Sequence, residues 1–511
     1  MILRNALPRR SLLLLSVLLA TCPIWDGAAA SAFGGGDGFD VVILNGRVID
    51  PETRFDAVAN IGIKDGIITE ITPRALRGRY VIDARDLVVA PGFIDLHSHG
   101  QNEVGQRQQA LDGVTTALEQ EIGAYPIAAF LAAREGKARI NFGASAGHQA
   151  IRSRVTGGTG DGPGDAAAAN RDALLDAKAK APLTEAELDR TLAILRREIG
   201  GGALGVGLAP EYIPGADRRE IYQVMKAAAE EGVPVFTHVR AARTPGPGGL
   251  FEMVQEMIAN TAATGGALHI CHVTSKGLGD TGLILEAIAG ARRNGMDIST
   301  EAYPYTAGST LIGSALFDDG WRERWNADYG DLEWPATGER LTEQTFRAYR
   351  RAQPGAYVIF HMIPQEAMIA AIRHPLVMIA SDAVDLSDGH GHPRGSGSFA
   401  RVLGHHVRER HDLSLMEALR KMTLMPAQRM DFVPAMRRKG RMRVGMDADI
   451  TIFDPRTVID RATYREPLLP SRGMIHVLVG GTPVVRDAAI VEGVFPGKAV
   501  RHLSAPSADR E

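Results

Sequence analysis

Between residues 91 and 435 the chain alternates two kinds of pattern. Short, nearly continuous apolar runs occupy 92–96, 114–118, 140–144, 204–208, 233–236, 268–271, 297–300 and 377–380. Between them apolar residues recur every three or four positions, the spacing that lays one face of an α-helix on a core. The stretch from Thr184 is the clearest case. Thr184-Glu185-Ala186-Glu187 is a capping box, and Leu188, Leu192, Ile194 and Leu195 follow it. Eight apolar strands separated by helices predict an α/β fold, a parallel (β/α)8 TIM-type barrel whose working face is built by the segments that follow the strands.

The flanks read differently. Residues 41–45 and 48–50 are β runs separated by an expected turn at Gly46, and 59–63 and 67–68 flank an Asp65-Gly66 hairpin turn. A related pattern returns near the end, where 450–453, 477–479 and 484–485 are apolar and Gly480-Gly481 makes the turn. The expected arrangement is a small β-sandwich assembled from both ends of the chain, 38–90 and 436–500, around a barrel spanning 91–435. Two interruptions stand out within the barrel. A Gly/Ala/Asp-rich surface loop is expected at 157–170, and an insert at 310–361 carries Trp321, Trp325, Trp334 and the run 357–360, placed to cover the barrel mouth.

Composition narrows the partners. Apolar residues make up 45% and charged residues 23%, as in ordinary soluble proteins, and a net charge of −3 gives no electrostatic case for nucleic acid or an anionic membrane. The first 32 residues read as a signal peptide: Arg4, Arg9 and Arg10 precede the apolar run 12–20, which is too short to span a bilayer, and Ala28-Ala29-Ala30 offers a cleavage site. Arg9-Arg10 fits a twin-arginine export signal as well as an ordinary secretory one. Thr21 before Cys22 fits a lipoprotein box poorly. The expected location is therefore the periplasm, without stable membrane insertion. With Cys22 removed or lipidated, Cys271 is the one thiol left and no internal disulfide can form.

The candidate chemistry lies where the predicted strands end. PGFIDLHSHG delivers His97 and His99 two residues apart, on one face of an extended strand. The second strand ends in Glu119 and Glu121, the third in His148, the fifth in His238, the sixth in His272 and the eighth in Asp382. A single histidine in such a place is an ordinary hydrogen-bonded loop residue, Asp382 alone could cap a helix, and two glutamates alone could be solvated. Recurring at several strand ends of one barrel, these groups predict a metal site, since imidazole and carboxylate are the usual ligands of zinc and its neighbours. Alternation puts Glu119 and Glu121 on the same face. Glu121, nearer the mouth, is the favoured ligand.

These motifs resemble the amidohydrolase superfamily over nearly all of the chain beyond the leader. PGFIDLHSH, the histidines of strands five and six, Asp382, and the tail GRMRVGMDADITIFDP carry the resemblance. GVTTALEQEIG, FGASAGHQAIR, GLAPEYIPGAD, CHVTSKG, TEAYPYTAGST and HPRGSGSFARVLG are similar to the N-acyl-D-amino-acid deacylases, and GVTTALE with TEAYPYTAGST looks most like the N-acyl-D-glutamate branch. Two departures matter. A cysteine ligand in the family's GNCG stretch is absent, so a carboxylate would replace it. The modified lysine of dihydroorotase-like and hydantoinase-like relatives is also absent after strand four.

The resemblance implies metal-dependent hydrolysis of an N-acyl-D-amino acid, with N-acyl-D-glutamate the expected substrate, releasing the D-amino acid and a carboxylic acid. Glu121 (or Glu119), His238 and His272 would hold one tight Zn²⁺, His97 and His99 would complete a second, weaker site, and Asp382 would act as both ligand and general base. Arg394 would clamp the α-carboxylate with help from Tyr303 and Ser309. Tyr212, Lys276 and His148 are further substrate-side candidates. An acidic substrate side chain would need another cation, for which Arg240, Arg152 and Lys276 are unranked candidates. The alternatives are a dipeptidase or cyclic amidase of the same superfamily, or a barrel scaffold without catalysis.

Overall fold

The computed structural model describes residues 38–158, 172–240 and 249–503. The leader at 1–32 and most of the Gly-rich loop expected at 157–170 lie outside the described residues. No helix among the described residues is long and apolar enough to cross a membrane.

Five strands come first: β1 (Phe39–Asp50), β2 (Phe55–Lys64), β3 (Ile67–Thr72), β4 (Gly78–Asp83) and β5 (Val88–Pro91). The turn expected at Gly46 is not there. β1 runs straight through it, and its pairing with β2 slips between Ile43 and Gly46, a bulge with Asn45 at φ 63°. Gly46 is required at this spot because a Cβ would lie 2.4 Å from the Val89 side chain. The hairpin at Asp65-Gly66 does form, both residues taking the positive φ of a tight hairpin turn (51° and 76°).

All eight barrel strands form where the apolar runs predict them: β6 (Phe93–Asp95), β7 (Val114–Ala124), β8 (Asn141–Gly147), β9 (Val206–Leu208), β10 (Val235–Thr237), β11 (Leu268–Ile270), β12 (Ile298–Ala302), then, after the insert, a strand at Val377–Ile379. They pair in parallel in chain order, each successive pair joined by a chain segment that includes helix. The last strand returns to the first at the mouth, where His99 N–H donates to the Ala383 carbonyl (2.8 Å) and Ser381 N–H to the Asp95 carboxylate (3.0 Å). Every residue of the eight strands is buried, which is why most of these runs are largely apolar rather than alternating; β12 departs from this, with Ser299, Thr300 and Glu301 buried in it. The capping box at Thr184 is present and opens the helix Glu185–Gly200.

The insert carries its own four-stranded antiparallel sheet: β13 (Gly308–Leu311), β14 (Leu332–Trp334), β15 (Glu339–Arg340) and β16 (Tyr357–Phe360), in the order β13-β16-β14-β15. Its core gathers Phe317, Trp321, Trp325, Phe346 and Phe360, with Trp334 stacked on Tyr349 at 4.1 Å. The strand at Val377–Ile379 is β17, and β18 (Ile450–Phe453), β19 (Met474–Val479), β20 (Thr482–Arg486) and β21 (Ala489–Ile490) complete the chain. These last four join β5, β1, β2 and β3 in one nine-stranded sheet that branches at β1 to take in β4. The junction between the ends is β5 against β18, from Val88↔Phe453 to Pro91↔Ile450.

Candidate metal centre and cavity at the barrel mouth

His97 and His99 follow β6, and neighbouring carboxylates fix their orientation. Nδ1 of His97 meets Oε1 of Glu301 at 3.0 Å, and Nδ1 of His99 meets the Glu119 carboxylate at 2.9 Å. A ring N–H donated to a carboxylate leaves the other nitrogen as a lone pair. The two Nε2 atoms then face one another at 3.0 Å, each 3.4 Å from Oδ1 of Asp382. Two lone pairs at that distance repel unless a cation lies between them.

The same logic holds across the mouth. Nε2 of His238 is bound by Oε2 of Glu211 (2.5 Å), so Nδ1 is left facing Oε1 of Glu121 at 3.1 Å. Nε2 of His272 reaches the same oxygen at 2.6 Å. Imidazole lone pairs and carboxylate oxygens thus converge on shared points, a donor set that fits a divalent ion of the zinc type. His97, Glu121 and His272 make one compact group, and His97, His99 and Asp382 another.

The electrostatics agree. Burial alone would neutralise Glu121, but His272, His97 and His238 outweigh it and hold its carboxyl well below the usual range. Burial likewise pushes Asp382 up, yet Arg394 and His97 bring it down to about 2, so it is ionised at neutral pH. Nη1 of Arg394 sits 2.8 Å from Oδ2 of Asp382.

Of the substrate-side candidates, Arg394, Tyr303, Ser309 and Tyr212 line the cavity with the metal-centre residues. Arg394 is positioned from behind, its N–H donating to Nδ1 of His392 (3.1 Å), while the other ring nitrogen of His392 donates to the Ala307 carbonyl (2.9 Å). Its guanidinium lies over the Tyr303 ring at 4.8 Å. Nε of Arg394 and Oγ of Ser309 are buried with no protein partner, two free donors at one end of the cavity. Tyr212 spends its hydroxyl on Oγ1 of Thr310 (2.9 Å).

Two candidates are not brought to the cavity. His148 opens the helix Val155 closes, and it turns outward into the helical layer, where Nε2 meets Oε1 of Glu220 at 2.9 Å. Its strand, β8, runs three residues beyond the apolar run that predicted it, carrying the chain past the mouth. Lys276 lies behind His238, bound to Glu211 and 4.5 Å from the Trp325 ring centroid. The other proposed cations are also committed elsewhere: Arg152 to Glu220, and Arg240 to Glu256 and the Ala216 carbonyl.

Sequence reasoning missed Glu211, Glu301 and His269. Glu301 lies inside β12 and binds Nδ1 of His97, Nε2 of His269 and the His272 N–H (2.6 Å). Glu211 bridges His238 and Lys276. The available signal was an acid in or just after an apolar run, Glu301 in TEAYPY and Glu211 in GLAPEY.

Residues 80–485 match the amidohydrolase family. The chain belongs to that family. As an amidohydrolase it is a hydrolytic enzyme. It is 31% identical over 498 residues to the N-acyl-D-glutamate deacylase of Alcaligenes xylosoxydans xylosoxydans, spanning 88% of this chain and 94% of the relative. It is 27% identical to the D-aminoacylase of the same organism, spanning 91% of this chain and 98% of the relative. Among solved structures, this amidohydrolase is similar to the N-acyl-D-glutamate deacylase of Bordetella bronchiseptica, complexed with zinc and a phosphonate inhibitor that mimics the tetrahedral intermediate. That likeness has a TM-score of 0.75 and 26% identity, and covers 91% of this chain and 100% of the other.

Proposed function

We propose that this amidohydrolase cleaves the amide bond of N-acyl-D-amino acids with a divalent ion of the zinc type in place. The observation that carries the reading is the placement of Asp382, which faces His97 and His99 through Oδ1 and Arg394 through Oδ2. One carboxylate thus joins the metal centre to the carboxylate clamp, spanning the two ends of an N-acyl amino acid.

Glu121, His238 and His272 would hold the ion, with His97, His99 and Asp382 available to a second. When bound, the ion acidifies water and polarises the amide carbonyl. The chain supplies the rest. Asp382, ionised, accepts the proton of the attacking water and returns it to the leaving amine. Arg394 and Ser309 orient the α-carboxylate through their free donors. Three fixed points, at the carbonyl, the carboxylate and the side-chain wall, give handedness: an L-substrate satisfying the first two aims its side chain away from the third. No lysine follows β9, where Ala209, Pro210 and Glu211 stand instead, which disfavours a lysine-bridged cyclic amidase.

The 31% relative acts, by its name, on N-acyl-D-glutamate. That degree of identity leaves the substrate side chain open, because a few wall residues decide it. Turnover of N-acetyl D- and L-amino acids by the purified enzyme, alongside its metal content, tests the reading. Hydrolysis of D-substrates that is lost on chelation and restored by Zn²⁺ is expected; preference for L-substrates or dipeptides would overturn it. The Arg9-Arg10 leader supports an exported enzyme, checked by fractionating cells that express the full chain.

A further inference from the structure

We propose that the site selects N-acyl-D-amino acids with apolar, uncharged side chains and discriminates against acidic ones. The inference rests on the deacylase reading above and names the substrate class within it.

The charges around the cavity come first. Among the described lining residues the only arginine or lysine is Arg394, whereas Glu119, Glu121, Asp382 and Asp385 all line it. Arg394 is already used: Nη1 faces Asp382, Nη2 donates to the Ser309 carbonyl (3.3 Å), and the free Nε lies at the end that receives the α-carboxylate. The three cations that an acidic side chain might have met are each held by another acid. Lys276 is paired with Glu211, Arg152 with Glu220 and Arg240 with Glu256, and none of the three lines the cavity.

Gln101, Asn102, Ser275 and Thr310 also line the cavity, but one wall of it is apolar. Ile122, Leu174 and Leu311 pack together beside Tyr212, and Leu316 and Phe360 continue the surface from the core of the insert. Strand β13 sets the spacing. Ser309 stands at the carboxylate end, and Leu311 lies two residues along the same strand, about 7 Å away at the usual strand rise. A substrate anchored by its α-carboxylate at Arg394 and Ser309 therefore lays its side chain towards Leu311, paired across the sheet with Tyr357. A second carboxylate there would lie against hydrocarbon with no counter-ion among the described residues, which is costly, whereas an alkyl or thioether side chain gains from the same contact.

The test is kcat/KM of the metal-loaded full chain for N-acetyl-D-leucine and N-acetyl-D-methionine against N-acetyl-D-glutamate and N-acetyl-D-aspartate. The apolar pair is expected to be at least about 100-fold better. Equal or faster cleavage of the acidic pair would overturn the inference and leave the deacylase reading intact. No cleavage of any D-derivative would overturn the deacylase reading, and the inference with it. Leu316→Lys and Leu174→Lys place a cation on the wall from two different elements. In whichever variant folds, judged by tryptophan emission, the leucine-to-glutamate ratio should fall by about tenfold or more. An unchanged ratio in a folded variant would remove the side chain from this wall.

Discussion

His272 and Asp382 both hold left-handed backbone, at φ 32° and 53°, in positions where most side chains avoid it. Each departure costs on the order of 1–3 kcal/mol and persists only when its surroundings fix it. Here the surroundings are visible: the His272 N–H is held by Glu301, and the residue before Asp382, Ser381, is held by Asp95. Both turns aim a metal-facing group back across the mouth. Asp382→Asn keeps the shape and removes the charge. Turnover is expected to fall by about 10²–10⁴-fold or more, with near-native unfolding behaviour, as measured by steady-state kinetics and a urea titration. Near wild-type turnover in the folded variant would remove Asp382 from the proton transfer. The two glutamates of β7 separate in the same way. Glu121 touches His272, His238, His97 and the Nε2 side of His99, whereas the Glu119 carboxylate meets only Nδ1 of His99 among these histidines. Metal content after dialysis should collapse in Glu121→Ala and persist in Glu119→Ala; the reverse order would exchange their roles.

At the scale of elements, the helix that opens at His148 is tied to the helix Arg218–Glu230, past the intervening Glu185–Gly200, by a buried cluster of His148, Arg152 and Glu220. Burial pushes the Glu220 carboxyl up, but His148 and Arg152 outweigh it and hold it below its ordinary value. Its stabilising contribution is therefore full above about pH 4.5 and is lost as pH falls further, because the unfolded chain takes up the proton first. His148 is held down by burial, so it too favours the unfolded state as pH drops through its ordinary range near 6.5. Glu220→Ala leaves Arg152 buried without its acid and should cost about 3–5 kcal/mol in urea unfolding at pH 7, with a weaker acid dependence than the wild type. A loss below about 1 kcal/mol would mean that the carbonyls of Ala179 and Ala181 alone satisfy Arg152.

The same cluster shows why His148 was misread. The position of a strand end is legible to within a few residues, and three residues of β8 decide whether a histidine faces the mouth or the helical layer. The eight barrel strands were legible because each is buried on both faces, which makes most of them short runs without the alternation of a half-exposed strand. His97, His99, His238, His272 and Asp382 were legible because a polar group directly after such a run has few other places to go. Glu301 also follows its run, 297–300, but β12 extends past it to Ala302, so it lies inside the strand rather than after it. Most of the insert sheet was hidden as well, since β14 and β15 are three and two residues long and β14 meets β16 only after a long separation in sequence.

At the scale of the whole molecule, the nine-stranded sheet ties the ends of the described chain together beside the barrel. Phe453, Met474, Val477 and Val484 share a core with Phe93, Val114 and Phe399 of the barrel and its helices. Ending the chain before residue 442 would remove β18 to β21 and expose that core. The expected result is loss of soluble monomer, read by gel filtration of the lysate against the full-length protein. A soluble, monomeric truncated chain would show that the barrel stands without its flank. The pairing of β5 with β18 also sets an order of assembly. Residues 88–91 leave the ribosome some 350 residues before the strand that completes their edge. Throughout synthesis of the barrel, the N-terminal strands carry an open edge of unpaired amides and carbonyls, and the native sheet closes only when almost the last part of the chain arrives.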